Sequence, residues 1–218
     1  MEETTTIKRN FKWIVLATST VLFIIIMLAV VKIKILPIDN WTINLVVNDV
    51  RKPWITAFFK VFTFFGEAKL LIPVGGIGAI LGFFVLKDKE RSFCYICNLI
   101  AIAGLNWIIK HIIQRPRPDM NLRLVEESGY SFPSGHAMIT TAFYGLIIFY
   151  LWNHMQNKLW RNILCILLSF LIVMIDFSRV YLGVHYLSDV LAGSFISIAY
   201  LIVAVEVARK FIFKENVK

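Results

Sequence analysis

The chain has 218 residues, of which 58% are hydrophobic and 17% are charged, with a mean hydropathy of +0.72 and a formal net charge of +9. Soluble domains are about 45–50% apolar and about 25% charged, so this composition excludes an ordinary soluble domain. The positive charge does not indicate a nucleic-acid partner, because no soluble basic domain is present to hold one. Basic residues beside a membrane instead contact anionic lipid headgroups.

Six apolar segments of about 20 residues each have the length that crosses a bilayer core. The first begins among the basic residues Lys8, Arg9 and Lys12. Its apolar run is too long for a signal peptide, so we expect an uncleaved helix. The predicted fold class is an all-α polytopic membrane protein, with one membrane-embedded domain over residues 1–218. The predicted spans are residues 11–31, 68–86, 92–113, 136–152, 160–177 and 188–208.

The segment between the first two spans, residues 37–66, mixes apolar and polar side chains without a clean apolar run. Pro37 and Pro53 interrupt it, and Trp41 and Trp54 are typical of the membrane–water interface. We therefore predict one or two short amphipathic helices lying at the membrane surface.

Lysine and arginine residues are enriched in cytoplasmic segments of membrane proteins, and their distribution here predicts that both termini are cytoplasmic. The bias is small, because the predicted outer segments carry almost as many basic residues. With that orientation, the connections after the third and fifth spans emerge together on the outer face. Richness in Ile, Lys, Phe and Asn is typical of bacteria, so we expect a bacterial plasma membrane. The predicted cytoplasmic basic residues are Lys8, Arg9, Lys12, Lys87, Lys89, Arg91, Lys158, Arg161, Arg209, Lys210, Lys214 and Lys218.

Three polar motifs lie at the predicted outer ends of spans, where ionisable residues are costly and therefore functional candidates. In chain order they are "KHIIQRPRP" at residues 110–118, "PSGH" at residues 133–136 and "SRVYLGVHYLSD" at residues 178–189. The topology predicts that all three meet on one face of the membrane.

The cations of these motifs are Lys110, Arg117 and Arg179. Arginine offers a planar fork that matches phosphate oxygens, and lysine offers a point charge. Ser134 and Gly135 lie where the fourth span begins, and a helix N-terminus presents free N–H groups to an anion. The motifs therefore predict a site for a tetrahedral anion.

Two histidines and an aspartate complete the predicted site. His185 and Asp189 are four residues apart, about one helical turn. A carboxylate bonded to one imidazole nitrogen fixes the tautomer and leaves the other nitrogen free to attack. His136 has no such partner in the sequence and can serve as the general acid.

The loop from Gln114 to Phe132 is predicted to lie over the site. Its Arg115 and Arg123 either steer anionic headgroups toward the site or are merely solvated surface charges. Glu126 and Glu127 are assigned to the same loop. The acids are too few to form a metal site, so we expect neither a metal ion nor a cofactor.

The three motifs, K-x6-R-P, P-S-G-H and S-R-x5-H-x3-D, resemble the signature of the type 2 phosphatidic acid phosphatase superfamily. Its bacterial members include phosphatidylglycerophosphate and undecaprenyl diphosphate phosphatases. The resemblance implies a metal-independent phosphatase that forms a phosphohistidine. It implies that His185 attacks phosphorus, Asp189 orients it and His136 protonates the leaving group. The phosphate ligands it implies are Lys110, Arg117, Ser134, Gly135 and Arg179.

The expected substrate is an anionic lipid phosphate or diphosphate: phosphatidylglycerophosphate, phosphatidic acid or undecaprenyl diphosphate. Two alternatives stay open, a phosphotransferase on the same fold and an anionic-lipid transporter without chemistry. The pairing of His185 with Asp189 argues against the transporter, because an anion site needs charge but no oriented nucleophile. The sequence does not indicate an oligomeric state.

Overall fold

The computed structural model describes residues 2–85, 87 and 89–211, and over these residues the chain forms eight α-helices. Two π-helical turns, Val46–Val50 and Leu81–Val85, and a short 3-10 helix, Met120–Leu122, lie between them. Two of the predicted cytoplasmic residues, Lys214 and Lys218, lie outside the described residues. The helices are α1 (Glu2–Ile33), α2 (Pro37–Leu45), α3 (Pro53–Phe64), α4 (Ala68–Ile80), α5 (Lys89–Ile113), α6 (Gly135–His154), α7 (Lys158–Tyr181) and α8 (Leu187–Phe211).

Six candidate membrane spans occur in the described residues, which confirms the prediction of an all-α membrane fold with six spans. Large apolar side chains cover the outside of these helices, as a lipid-facing surface requires. The candidate spans are Asn10–Ile33, Pro53–Phe84, Ser92–Ile113, Gly135–His154, Lys158–Tyr181 and Leu187–Lys210.

The centre of the bundle is α6, which packs against α5, α7 and α8, while α1 packs along α8. Ala137, Met138 and Ala142 on α6 are fully buried. A Cβ on Gly193 of α8 would lie 3.0 Å from the carbonyl oxygen of Ser134. Glycine at that position therefore lets the beginning of α8 lie close against the beginning of α6.

The second candidate span differs from the predicted one because it includes α3, which the sequence pattern places at the membrane surface. Its two threonines face other helices. Thr56 bonds the hydroxyl of Tyr181 at 3.0 Å, and Thr63 accepts a hydrogen bond from Arg179 at 2.7 Å. The two threonines lower the hydropathy of residues 37–66, so the sequence pattern does not indicate a span there. Their hydroxyl groups are nevertheless hydrogen-bonded inside the protein.

The first part of α1 and the last part of α8 meet at the end of the bundle opposite to the three motifs. Lys12 on α1 forms an ion pair with Glu206 on α8, with 2.7 Å between Nζ and Oε2. Beyond the other end of α1, the carbonyl oxygen of Lys34 accepts a hydrogen bond from Arg115 of the first motif, 2.7 Å away.

Candidate active site

His185 is positioned by the way in which α7 ends. Gly183 has φ +72°, the left-handed conformation that terminates many helices. Its N–H donates to the carbonyl oxygen of Val180, and the N–H of His185 turns back to the carbonyl oxygen of Arg179. A Cβ on Gly183 would also collide with the carbonyl oxygen of Leu122. The turn therefore requires glycine, and it brings His185 beside the last turn of α7.

Asp189 faces His185 from the first turn of α8. Its Oδ2 accepts a hydrogen bond from the N–H of Tyr186 at 2.9 Å, which also satisfies a free N–H at the helix start. The same oxygen lies 3.4 Å from Nδ1 of His185 and accepts a hydrogen bond from Ser131. This arrangement places the proton of a neutral imidazole on Nδ1 and leaves the lone pair on Nε2.

The electrostatic environment keeps His185 neutral. Burial lowers the pKa of His185 well below its ordinary value, and the charges of Arg117, Lys110 and Arg179 lower it further. Nε2 accepts a hydrogen bond from Nη1 of Arg117 at 3.0 Å. The imidazole is thus neutral, and the lone pair on its Nε2 faces the guanidinium group of Arg117.

The three predicted cations converge on this histidine. Nζ of Lys110 donates to the carbonyl oxygen of Tyr130, and Nη1 of Arg117 donates to that of Val184 at 2.9 Å. Arg179 comes from the last turn of α7 and is 2% exposed. Burial lowers the pKa of Arg117 to about 10, with Glu127 opposing the shift, so Arg117 is charged at neutral pH.

The "PSGH" motif begins α6 against the first turn of α8. Ser134 is the N-cap, and its Oγ accepts a hydrogen bond from the N–H of Ala137 at 3.4 Å. The N–H of Ser134 donates to the carbonyl oxygen of Asp189 at 3.0 Å. A Cβ on Gly135 would lie 3.2 Å from Oδ1 of Asn106, so glycine suits this close approach.

His136, the next residue, packs against the break between α3 and α4. A Cβ on Gly66 would lie only 2.8 Å from Cδ2 of the imidazole and 2.7 Å from Ile175. Glycine at position 66 therefore leaves room for the ring. Nε2 of His136 is buried and has no hydrogen-bond partner within the described part of the chain. This nitrogen is available for a proton transfer to or from a bound ligand.

The eight residues predicted from the motifs all occur at one end of the bundle, as the topology predicts. They are Lys110, Arg117, Ser134, Gly135, His136, Arg179, His185 and Asp189. Their individual roles stay predictions.

Both interpretations of Arg115 are wrong, because this side chain is fully buried and neither solvated nor free to steer a ligand. It forms ion pairs with Asp189 and, at 2.6 Å, with Asp39 of α2. Its Nη1 also donates to Oγ of Ser188 at 2.8 Å, and it lies over the ring of Tyr186. Arg115 thus fixes the carboxylate that faces His185.

Arg123 is half-buried and holds the loop rather than extending into solvent. Its Nε and Nη2 both donate to the carbonyl oxygen of Pro118, at 2.9 and 2.7 Å. No pattern in the sequence distinguishes Arg115 or Arg123 from an exposed loop arginine, since their partners come from the backbone or from a distant helix.

Glu127, which was predicted only to lie in the loop, contacts two of the predicted cations. Its Oε2 pairs with Nη2 of Arg179, and its Oε1 lies 3.6 Å from Nη2 of Arg117. The fold of the loop brings this acid to the site, and spacing along the chain does not indicate it.

Across residues 2–85, 87 and 89–211, the His, Cys, Asp and Glu side chains form no group of three or more that could hold a metal ion. The charge available to a bound anion in the described structure comes from the arginine and lysine side chains.

Comparison with known proteins places the chain in a family. Residues 91–213 match the PAP2 superfamily. Phosphatidylglycerophosphatase B of Bacillus subtilis is 31% identical over 177 residues, which are 80% of this chain and 86% of that protein. Dolichyldiphosphatase 1 of Mus musculus is 30% identical over 149 residues, and the match covers 63% of each protein, less than two thirds.

A solved structure shows the same architecture. The crystal structure of a transmembrane PAP2 type phosphatidylglycerolphosphate phosphatase from Bacillus subtilis aligns with a TM-score of 0.80 and 27% identity. The alignment covers 93% of this chain and 97% of that one. The sequence match, the shared fold and the three motifs at one end of the bundle agree: the chain belongs to the PAP2 superfamily.

Proposed function

We propose that this lipid phosphatase of the PAP2 superfamily removes a terminal phosphate from a membrane lipid through a phosphohistidine at His185. The single observation that carries the proposal is the environment of His185. Asp189 faces Nδ1, so the lone pair on Nε2 is directed toward Arg117, at 3.0 Å. A nucleophile with an orienting acid on one nitrogen and a phosphate-binding cation at the other is arranged for attack on phosphorus.

The reaction would proceed in two displacements. Nε2 of His185 attacks phosphorus, the bond from phosphorus to the lipid oxygen breaks, and that oxygen takes a proton from His136. Water then attacks the phosphohistidine and gives a proton to His136, which releases inorganic phosphate and restores His185. Lys110, Arg117, Arg179 and the N–H groups at the start of α6 would hold the phosphoryl oxygens as charge builds on them.

The proposed substrate is an anionic lipid phosphate or diphosphate. Phosphatidylglycerophosphate is the first to test, because the phosphatidylglycerophosphatase B of Bacillus subtilis matches over 80% of this chain. Phosphatidic acid and undecaprenyl diphosphate present the same terminal phosphate and belong to the same test.

We place the active site at the outer face of the bacterial cell membrane, with both termini in the cytoplasm. The basic residues Lys12 and Arg209 lie at the end of the bundle opposite to His185, which agrees with an excess of positive charge inside. A lipid in the outer leaflet would then present its headgroup at the level of the site.

Phosphate release from the three lipids in detergent tests the proposal. His185→Ala should lose several orders of magnitude in kcat because the nucleophile is gone. His154→Ala, which changes an exposed histidine at the other end of α6, is the matched control. An acid-labile label from radioactive substrate should appear on the wild type and vanish in His185→Ala.

Ordinary turnover by a folded His185→Ala variant would refute the phosphohistidine. Adding an alcohol acceptor separates hydrolysis from phosphotransfer, because a transferase would release less free phosphate and form a new ester.

A further inference from the structure

Glu127 occupies the place where the proposed mechanism puts a phosphate. Its two carboxylate oxygens face Arg179 and Arg117, whose side chains are 3% and 5% exposed, while its own side chain is 31% exposed. The pair of buried guanidinium groups therefore already binds an anion, and that anion belongs to the chain.

The loop around Glu127 also occupies binding atoms of Arg117 and Lys110. Nε and Nη2 of Arg117 donate to the carbonyl oxygen of Ser128 at 3.2 and 2.8 Å, and Nζ of Lys110 donates to that of Tyr130. Nη1 of Arg117 covers the lone pair of His185. A phosphate that enters must displace Glu127 and these carbonyl oxygens, so binding is an exchange of anions.

The charge of the entering phosphate, compared with that of the Glu127 carboxylate, determines whether the exchange is favourable. The Glu127 carboxylate carries one negative charge. A phosphodiester, the form of the common anionic phospholipids, also carries one, so replacing Glu127 with it gains no charge. A terminal phosphate monoester carries about −1.5 to −2 near pH 7 and is the better ligand for the two arginines.

We propose that Glu127 is a specificity-determining residue that admits lipids with a terminal phosphate and excludes phosphodiester headgroups. The inference rests on the proposed function, because it takes Arg117 and Arg179 as the phosphate ligands. A bilayer offers diester lipids in large excess over any monoester, and a site with free arginines would be occupied by them. The carboxylate keeps the site closed to a singly charged headgroup.

Isothermal titration of the full chain in detergent with inorganic phosphate tests this directly. Glu127→Gln should lower the Kd for phosphate about tenfold, because the amide keeps the shape of the side chain but removes the competing charge. Glu126→Gln, at the exposed neighbouring acid, should leave the Kd unchanged. An unchanged or higher Kd for folded Glu127→Gln would overturn the inference.

A second measurement compares two phosphate ligands, first on the wild type and then on Glu127→Gln. Dimethyl phosphate, whose single charge mimics a diester headgroup, should bind the wild type at least ten times more weakly than inorganic phosphate at pH 7.5. In the Glu127→Gln protein this preference should shrink, and phosphatidylglycerol in mixed micelles should become a competitive inhibitor. Equal binding of both phosphates by the wild type would refute the selection.

Titration does not depend on turnover, so the two proposals fail separately. Absence of phosphate release from every lipid, or full turnover in His185→Ala, would refute the proposed function while the titrations still report on Glu127. Turnover through His185 with no effect of Glu127→Gln would refute only the role of Glu127.

Discussion

Replacement of Asp39 by asparagine should destabilise the protein and slow catalysis, although residue 39 is far from His185 in the sequence. Asp39 lies in α2 and is fully buried. Its Oδ2 pairs with Arg115 at 2.6 Å and accepts from Oγ of Ser188 at 2.8 Å, and its Oδ1 accepts from the N–H of Ser188 at 2.9 Å. Asparagine keeps the size of the side chain and one oxygen, so the change removes mainly the charge.

The size of the effect follows from burial. Removal of one partner from a buried ion pair costs about 3–5 kcal/mol, because the other charge stays buried and uncompensated. Arg115 keeps its second partner, Asp189, so we expect the lower end, about 3 kcal/mol. In a protein of this size, 1 kcal/mol shifts the Tm by about 2–4 °C, which predicts a fall of about 6–12 °C.

Catalysis should slow because Arg115 would then bind Asp189 alone and draw its carboxylate away from Nδ1 of His185. We expect kcat to fall about tenfold, equivalent to about 1.4 kcal/mol, with a smaller change in KM. Thermal unfolding in detergent and phosphate release would be measured on the same preparations.

The matched control is Asp49→Asn, in the exposed part of the π-helical turn that follows α2. A surface substitution of this kind usually changes stability by less than about 0.5 kcal/mol. If Asp39→Asn matched Asp49→Asn in both Tm and kcat, the buried network would contribute nothing measurable and the reasoning would be wrong.

Activity should persist in a chelator, because Lys110, Arg117 and Arg179 supply the positive charge; a requirement for added magnesium would contradict this. His185 should stay neutral as pH falls through its ordinary pKa of about 6.5, since its pKa is lowered. NMR of the labelled ring should therefore show the imidazolium only at lower pH. Detection of the His185 imidazolium at pH 6.5 would refute the burial argument. The contribution of neutral His185 to folding stability is present above pH 6.5 and is lost as the pH falls below it, because the unfolded chain binds the proton first. With Cys94, Cys97 and Cys165 replaced, a cysteine at Glu126 should react with an impermeant reagent on intact cells, and one at Gln156 only after lysis. The reverse pattern would place the site in the cytoplasm.

The parts of the fold that depend on local composition were predictable from the sequence. Runs of apolar residues give the spans, and counting the crossings between Lys110, His136 and His185 places the motifs on one face. The position of α3 was not predictable, because its threonine hydroxyl groups lower the hydropathy whether they face water or another helix. Their partners, Tyr181 and Arg179, are more than 100 residues away.

The charged residues around the motifs were harder to predict for a related reason. Arg115 and Arg117 are separated by one proline, yet Arg115 binds Asp189 while Arg117 donates to Nε2 of His185. Glu126 and Glu127 are adjacent, yet only Glu127 reaches the cations. Such differences depend on the path of the loop, which long-range hydrogen bonds fix.

The segment that matches the superfamily, residues 91–213, does not contain every group that holds the motif residues in place. Asp39 binds Arg115, Thr63 binds Arg179 and Gly66 leaves room for His136, and all three precede that segment. A chimera that joins residues 91–213 to the first spans of an unrelated membrane protein would inherit all three signatures. In that chimera Arg115 would keep Asp189 but lose Asp39, and Arg179 would lose the hydroxyl group of Thr63. We therefore expect the three motifs to be poorly ordered and the chimera to be a weak catalyst.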